Sequence, residues 1–177
     1  MRNIIDAIKI LATKRITELN VLQTGRNRIN TVGYSFEEYV KNLFADSFDL
    51  PETEKLERWS ETFSYLGNNA NPPDMMLKNG DAVEVKKIES HDAALALNSS
   101  YPKQFLRKDN PLISNACREA ENWTTKDILY VVGVVNGDKL KCLCMIYGRD
   151  YCASEECYER IRQRIKNGVE TIDGVEF

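Results

Sequence analysis

Apolar residues recur at helical spacing near the start of the chain. The first 20 residues carry them three to four positions apart, which predicts an amphipathic helix. A second helix is predicted to begin at Ser35, because Ser35-Phe36-Glu37-Glu38 fits a capping box. The polar stretch Thr24–Val32 before it indicates a loop. Ile113–Trp123 also has a helical pattern, and Ser154 is predicted to cap a last helix that runs to about Lys166.

Short β-branched runs between these helices predict strands, and Asn79-Gly80 and Asn136-Gly137 are strong hairpin signals. Residues 89–112 are predicted to be irregular, apart from a short helix near Ala93–Leu97. From Ser35 the order is helix, three strands, helix, strand, and then an extra strand and helix. This order predicts an α/β or α+β fold with a mixed sheet flanked by helices. The predicted strands are Glu61–Leu66, Asp74–Leu77, Ala82–Ile88, Ile128–Val135 and Leu140–Tyr147.

Length and composition favour one globular domain. The 177 residues are 42% hydrophobic and 29% charged, which is typical of a soluble domain, expected to span 1–177 with residues 1–30 as an N-terminal helical extension. No apolar run approaches the roughly 20 residues of a membrane span. Because Arg2, Asp6 and Lys9 interrupt the N-terminus, it does not fit a secretory signal, and we expect a cytoplasmic protein with no membrane partner.

The five cysteines favour reduced thiols. An odd count in a chain without an export signal is typical of a reducing compartment. A zinc site built from Cys142, Cys144, Cys152 and Cys157 is the alternative, but their spacing fits no common zinc finger. Small buried or partly buried side chains are the favoured interpretation.

Candidate chemistry lies in the hairpin that follows Pro73. Side chains alternate faces along a strand, so Glu84 and Lys86 are predicted to point the same way. The turn would bring Asp74 beside Glu84 on the neighbouring strand. Two carboxylates and one ammonium would then meet at one end of a sheet. The alternative is a solvated strand face, but a Pro-Asp turn, a hairpin of suitable length and Glu-x-Lys together favour a site.

That grouping suits the hydrolysis of a phosphodiester bond. Asp74 and Glu84 would hold Mg²⁺ through hard oxygen ligands, joined by the Val85 carbonyl, and Mn²⁺ is expected to substitute. The metal would activate water, and Lys86 would stabilise charge that develops on the phosphate. The net charge of −3 argues against DNA binding by bulk attraction. A bound cation would nevertheless supply positive charge where the phosphate lies.

Pro73-Asp74, Glu84 and Lys86 resemble the PD-(D/E)-x-K nuclease signature, and the order of elements resembles the αβββαβ core of that superfamily. The resemblance implies a restriction-endonuclease-like fold. Gly33-Tyr34-Ser35-Phe36-Glu37 is similar to a superfamily pattern that places a glutamate on the preceding helix. Glu37 would then be an auxiliary ligand, and the alternative is a first-turn acid that favours the helix dipole.

Longer strings resemble the NgoPII type of type II restriction endonucleases. They are Pro73-Asp74, Glu84-Val85-Lys86-Lys87-Ile88-Glu89, Leu97 to Lys103, and Asp127 to Gly133. This resemblance implies cleavage of double-stranded DNA at a short palindrome, with GGCC as the associated site. A palindrome is read by a two-fold symmetric assembly, so a homodimer is expected. Members of the family extend beyond Phe177, which leaves open a C-terminally truncated chain.

A polar run after the catalytic strand is the candidate DNA-reading segment. Asn, Gln, Ser, Lys and Arg side chains suit base edges and phosphates, although an ordinary surface loop has the same composition. His91, the single histidine, is interpreted as an exposed loop residue rather than a general base. The candidate DNA contacts are Asn98, Ser99, Ser100, Tyr101, Lys103, Gln104 and Arg107.

Two further basic segments are weaker candidates for phosphate contact. Arg160, Arg162, Arg164 and Lys166 lie on the last predicted helix, but its glutamates make a plain solvated helix equally suitable. Arg26 and Arg28 are candidates of the same kind. A repair or junction nuclease of the same fold and a non-catalytic DNA-binding module remain the rival functions.

Overall fold

The computed structural model describes residues 2–19, 28–68, 70–94 and 102–174, and for residues 28–34 it describes the backbone alone. Within these ranges the helices are α1 (Ile4–Lys14), α2 (Arg28–Ala45), α3 (Glu52–Thr62), α4 (Asn115–Glu119), α5 (Gly148–Tyr151) and α6 (Glu155–Glu170). The strands are β1 (Phe63–Tyr65), β2 (Met75–Leu77), β3 (Ala82–Ile88), β4 (Phe105–Arg107), β5 (Thr125–Asn136) and β6 (Lys139–Tyr147). No helix in the described ranges has both the length and the apolar character needed to cross a membrane.

The strands form one mixed sheet in the order β1-β2-β3-β5-β4, and β6 also pairs with β5. The β3–β5 pair is parallel and runs in register from Ala82 opposite Ile128 to Ile88 opposite Val134. The other neighbouring strands are antiparallel. The predicted mixed sheet with flanking helices is therefore confirmed.

Alternating side chains of the central strands belong to two different apolar clusters. The larger contains Val83 and Val131 with the buried face of α2, and the smaller contains Ala82 and Tyr130. Because consecutive strand residues point to opposite faces, the clusters lie on the two sides of the sheet. A side chain at Gly133 would overlap the ring of Phe36, so α2 packs closely on β5 at this point.

The structure corrects the start of the second helix. Because α2 begins at Arg28, the predicted loop Thr24–Val32 is wrong from residue 28 onward. Ser35 is buried inside the helix, so the predicted capping box is also wrong. A helical Gly33 costs about 1 kcal/mol relative to alanine. Burial of Phe36 in the next turn offsets this cost, since tertiary packing supplies most helix stability.

Other boundaries differ because local signals are weak there. The first helix ends at Lys14, since Arg15 takes the left-handed conformation at φ 51°. Helix α3 was not predicted because it buries only Lys55 and Thr62 and has no apolar stripe. The predicted strand Glu61–Leu66 shortens to β1. The predicted helix Ile113–Trp123 shortens to α4, where the Ser114 side chain accepts from the Cys117 amide.

Two differences concern the stretch before α4. Strand β4 was not predicted, because its three residues are too few to show a period, and it is fixed by pairing with Thr125–Asp127. Ala93 and Ala94 are not helical, and residues 95–97 of the predicted short helix lie outside the described residues.

Candidate active site

The β2–β3 hairpin carries the residues that the sequence singles out. Its turn contains Asn79 in the left-handed conformation at φ 55°. The Glu121 carboxylate accepts from the Asn79 amide at 2.9 Å, and the Lys126 ammonium donates to the Gly80 carbonyl at 2.6 Å. Lys126 and Glu121 also form an ion pair. The predicted hairpin is therefore present, and buried charges fix its turn.

Asp74 immediately precedes β2 and faces β3. Met75 pairs with Val83, which brings Asp74 level with Glu84 across the antiparallel pair. Its Oδ2 accepts a hydrogen bond of 2.6 Å from the Val85 amide. A side chain at Gly67, whose φ is +74°, would overlap the Asp74 carbonyl. The backbone of Asp74 is thus held against a glycine on one side while its carboxylate is held by β3 on the other.

Glu84 and Lys86 lie on one face of β3. The Lys86 ammonium is 2.7 Å from Glu84 Oε1, and the two side chains are 22% and 14% exposed. Lys87 alternates to the opposite face, where it pairs with the exposed Glu89 at 3.2 Å. The strand therefore carries two Glu–Lys pairs, and the half-buried pair is the one on the side of Asp74.

Electrostatics tie Asp74 to this pair. Burial raises the pKa of Asp74 to about 7, and the negative charge of Glu84 adds to the rise. The Val85 amide and the Lys86 ammonium oppose the rise in this pKa, while Glu37 contributes to it. Two carboxylates repel each other when both are ionised in a half-buried place. A bound cation would stabilise the negative charge on both.

The donor chemistry fits a hard divalent cation. Asp74 and Glu84 offer carboxylate oxygens at one end of the hairpin, which are ligands of the type that Mg²⁺ binds while keeping several waters. Across the described ranges, no group of three or more His, Cys, Asp or Glu side chains is placed to hold a metal. Any cation here would therefore rely on two carboxylates together with backbone oxygen and water.

Helix α2 brings Glu37 to the edge of this group. Glu37 is half-buried, and its carboxylate pairs with Lys41 one turn later at 2.6 Å. Its charge raises the pKa of Asp74, which places it within electrostatic reach of the centre. The preceding residue, Phe36, anchors the helix on Gly133 of β5.

Lys103 lies beside the same centre, a position that the residues around it in sequence do not predict. Its side chain is buried, and burial lowers its pKa, while the charge of Glu84 raises it and that of Lys86 lowers it. The Lys103 amide donates to the Tyr130 hydroxyl at 2.8 Å, and Tyr130 pairs with Glu84 across β3 and β5. A side chain at Gly148 would overlap the Lys103 carbonyl. These contacts are long-range, so no local pattern could have revealed them.

The other predicted DNA contacts lie farther along or outside the described residues. Gln104 and Arg107 line a cleft of 640 Å³ between the segment around β4 and the start of α6. Gln104 donates to the Cys152 carbonyl at 3.3 Å, and the exposed Arg107 pairs with Glu155 at 3.1 Å. Asn98, Ser99, Ser100 and Tyr101 lie outside the described residues, as do Arg26 and the side chain of Arg28.

The remaining candidates have no part in this centre. His91 is exposed in a turn after β3. All five cysteines are free thiols, with Cys117 and Cys152 buried and Cys142 and Cys144 exposed. As the described residues contain no cluster suited to a metal, nothing favours the zinc alternative over separate small side chains.

Comparisons with known proteins agree on one family. The model of the family described as NgoPII restriction endonuclease matches residues 2–177. The type II restriction enzyme NgoPII of Neisseria gonorrhoeae is 54% identical over 176 residues, which cover 99% of this chain and 63% of that relative. The chain thus spans less than two thirds of the curated relative it matches. No solved structure matches the chain. With the family model covering nearly its whole length, the chain belongs to the NgoPII restriction endonuclease family.

Proposed function

We propose that this protein is a Mg²⁺-dependent type II restriction endonuclease that hydrolyses phosphodiester bonds in double-stranded DNA. The observation that carries the proposal is the meeting of Asp74, Glu84 and Lys86 at the end of the β2–β3 hairpin. Membership of a restriction endonuclease family supports it, since these enzymes generally use divalent metal ions.

Each residue has a role that follows from its position. Asp74 and Glu84 would bind Mg²⁺, for which Mn²⁺ would substitute, with the Val85 carbonyl as a further ligand. The bound ion would polarise the scissile phosphate and lower the pKa of a water. The Val85 amide holds the Asp74 carboxylate in place before any cation arrives. Glu37 would assist as an auxiliary ligand from α2 through a bound water, since it pairs with Lys41 and is not placed for direct coordination beside Asp74 and Glu84.

Two lysines would supply positive charge at the phosphate. Lys86, held by Glu84 at 2.7 Å, would orient the attacking water and stabilise developing negative charge. Lys103 would bind a non-bridging phosphate oxygen near Glu84, since its backbone is fixed by Tyr130. This role differs from the reading of bases by an exposed loop, because the Lys103 side chain is buried beside the centre.

The proposed substrate is a short palindrome, and GGCC is the first candidate from the family resemblance. A palindrome requires two-fold symmetry, so the working form is a homodimer. Residues Asn98, Ser99, Ser100 and Tyr101 would approach base edges, with Gln104 and Arg107 beside them. The proposed site of action is the cytoplasm, where a restriction enzyme meets incoming DNA.

Cleavage of unmethylated plasmid tests the proposal. The protein with Mg²⁺ should produce discrete fragments whose sequenced ends share one short palindrome, and chelation should stop the reaction. Asp74→Asn and Lys86→Met should each lower the rate by roughly 100-fold or more. The matched controls are Lys87→Met and Glu89→Gln, which alter the Glu–Lys pair on the opposite face of the same strand.

Other outcomes identify the rival functions. Nicks that depend on DNA structure, with no shared end sequence, would favour a repair or junction nuclease. DNA binding without cleavage, and Mg²⁺ titration heats equal in wild type and Asp74→Asn, would favour a non-catalytic module. Equal losses in the control variants would remove the residue assignment.

A further inference from the structure

Helix α6 presents an apolar face to solvent. None of its residues is buried, and Ile161 and Ile165 are 48% and 56% exposed. Ile172, just beyond the helix, is 55% exposed. Tyr158 begins the same stripe and packs against the smaller core cluster, so the helix leaves the body of the protein after its first turn. Spacings of three and four residues keep Tyr158, Ile161 and Ile165 on one face of the helix.

An apolar stripe of this length needs a covering surface. Each half-exposed isoleucine loses free energy of burial at about 25 cal/mol for every Å² of apolar area left in water. The opposite face of α6 is charged, so the helix has the pattern of one that packs on a single partner. In the described residues that partner is not supplied by the rest of the chain, because α6 has no buried residue.

The order of charges on α6 indicates that the partner is a second copy of the same helix. Glu155, Glu156 and Glu159 occupy its first part, while Arg160, Arg162, Arg164 and Lys166 follow. On a helical projection, Glu155 and Glu159 flank the same side of the stripe as Arg162 and Lys166. Two copies laid antiparallel would place the acidic part of each helix beside the basic part of the other. A parallel pair would instead place like charges together.

The present ion pairs of these groups do not oppose such an exchange. Glu159 lies 3.3 Å from Arg162, Glu155 lies 3.1 Å from Arg107, and Lys166 lies 3.6 Å from Glu170, with side chains about half exposed in all three pairs. Exposed pairs of this kind contribute about 0–1 kcal/mol. They can be replaced at little cost by pairs across an interface.

We propose that α6 is the self-association surface of this protein, where two copies pair antiparallel through Ile161, Ile165 and Ile172. A two-fold axis then crosses the helix pair and makes the contact self-complementary. The inference deepens the homodimer of the proposed function and rests on that function for its purpose. A helix of 16 residues is roughly 24 Å long, so the contact is small and the dimer dissociates on dilution.

Sedimentation equilibrium without DNA or metal tests the surface. The wild type should change from 20.3 kDa to about twice that mass as its concentration rises. Ile161→Glu with Ile165→Glu should remain monomeric. The matched control is Ile5→Glu, because Ile5 on α1 is 55% exposed and Ile165 is 56% exposed. Circular dichroism and thermal melting of each variant establish that loss of the dimer is not loss of the fold.

Two charge variants test the antiparallel arrangement. The first carries Arg162→Glu and Lys166→Glu, and the second carries Glu155→Lys and Glu159→Lys. Each alone should associate at least tenfold more weakly than the wild type, and an equimolar mixture should form a heterodimer. The charge order also suits the helix dipole, but a dipole effect alone would not produce association on mixing.

Several results would overturn the inference, and they are separable from failure of the proposed nuclease function. A wild type that stays monomeric at high concentration, or a dimer that survives Ile161→Glu with Ile165→Glu, removes the surface even if DNA is cleaved. A charge mixture that stays monomeric removes the antiparallel pairing. If the first charge variant loses DNA binding but keeps the doubled mass, the basic part of α6 contacts phosphates instead. A protein that forms the dimer but does not cleave DNA would support the α6 surface and contradict the proposed nuclease function.

Discussion

The Asp74 carboxylate accepts a hydrogen bond of 2.6 Å from the Val85 amide across the β2–β3 hairpin. This bond joins Asp74, which precedes β2, to Val85 in the middle of β3. Val85 lies between Glu84 and Lys86 in sequence. The bond holds a half-buried carboxylate beside another carboxylate, where partial burial and the Glu84 charge both raise the pKa of Asp74. The fold thus maintains an arrangement that is electrostatically unfavourable without a cation.

The first prediction concerns stability and pH in the metal-free protein. The pKa of Asp74 is about 7 in the folded protein and has an ordinary value of 3.8. Between these values the folded state binds more protons than the unfolded chain, so this carboxyl makes stability fall as pH rises. Asp74→Asn keeps an acceptor for Val85 and has no charge. Its melting temperature should exceed that of the wild type at about pH 8, with a smaller difference near pH 4.

Adding Mg²⁺ supplies the control for that prediction. At about pH 8 the ion should raise the melting temperature of the wild type and leave that of Asp74→Asn nearly unchanged, since a ligand stabilises only the state that binds it. Each unit by which two pKa values differ corresponds to about 1.4 kcal/mol. Identical pH profiles for the two proteins would show that Asp74 is ionised normally.

The second prediction separates Lys103 from Arg107. Lys103 is buried beside Glu84, whereas Arg107 is exposed and pairs with Glu155. Lys103→Gln should lower kcat by roughly 100-fold, because a charge next to the phosphate acts most strongly in the transition state. Arg107→Gln should change kcat by less than about threefold, as expected for a surface contact. Lys103→Arg should recover part of the rate, and a loss confined to KM would contradict the assigned role.

The third prediction concerns two glycines with similar backbone angles. Gly67 has φ +74° and abuts the Asp74 carbonyl, whereas Gly137 has φ +64° and no atom within 4 Å of an added Cβ. Alanine at either position should cost about 1–2 kcal/mol for the left-handed backbone. Only Gly67→Ala should also displace Asp74, so its cleavage rate should fall well below that of Gly137→Ala at equal folded fraction. Equal rates would mean that Asp74 does not depend on Gly67.

The fourth prediction tests two adjacent glutamates of α2. Glu37 raises the pKa of Asp74, while Glu38 lies 3.5 Å from the Lys55 ammonium. Glu37→Gln should increase the Mg²⁺ concentration needed for half-maximal cleavage several-fold, because it removes negative charge from beside the ion. Glu38→Gln is the matched control and should leave that concentration unchanged. A larger effect from Glu38 would exclude Glu37 as an auxiliary ligand.

The hairpin could be predicted from sequence because its information is local. Strand alternation fixes the shared face of Glu84 and Lys86, and Asn79-Gly80 fixes the turn that brings Asp74 back. Lys103 could not be placed in this way, because its position depends on Tyr130, 27 residues later, and on Gly148. Its role as a cation beside Glu84 exists only in the folded sheet.

Helix starts were harder to predict for a related reason. Ser35 and Glu38 have the local pattern of a cap, yet packing of α2 on β5 extends the helix back to Arg28. Helix α3 lacks the apolar stripe from which a helix is usually recognised, and Trp59 instead donates to Asn42 and Ser47. Both errors arise where tertiary contacts outweigh local propensity.

The parallel pairing of β3 with β5 also sets the order in which the centre can form. The hairpin closes over a few residues and can form within microseconds, but β3 gains its second neighbour only when residues 128–134 arrive. Tyr130, which fixes Lys103, belongs to that same strand. During synthesis the chain therefore carries Asp74, Glu84 and Lys86 through more than forty further residues before the sheet encloses them. A ribosome-bound chain that stops short of residue 128 could close the hairpin but would lack the strand that completes the candidate centre.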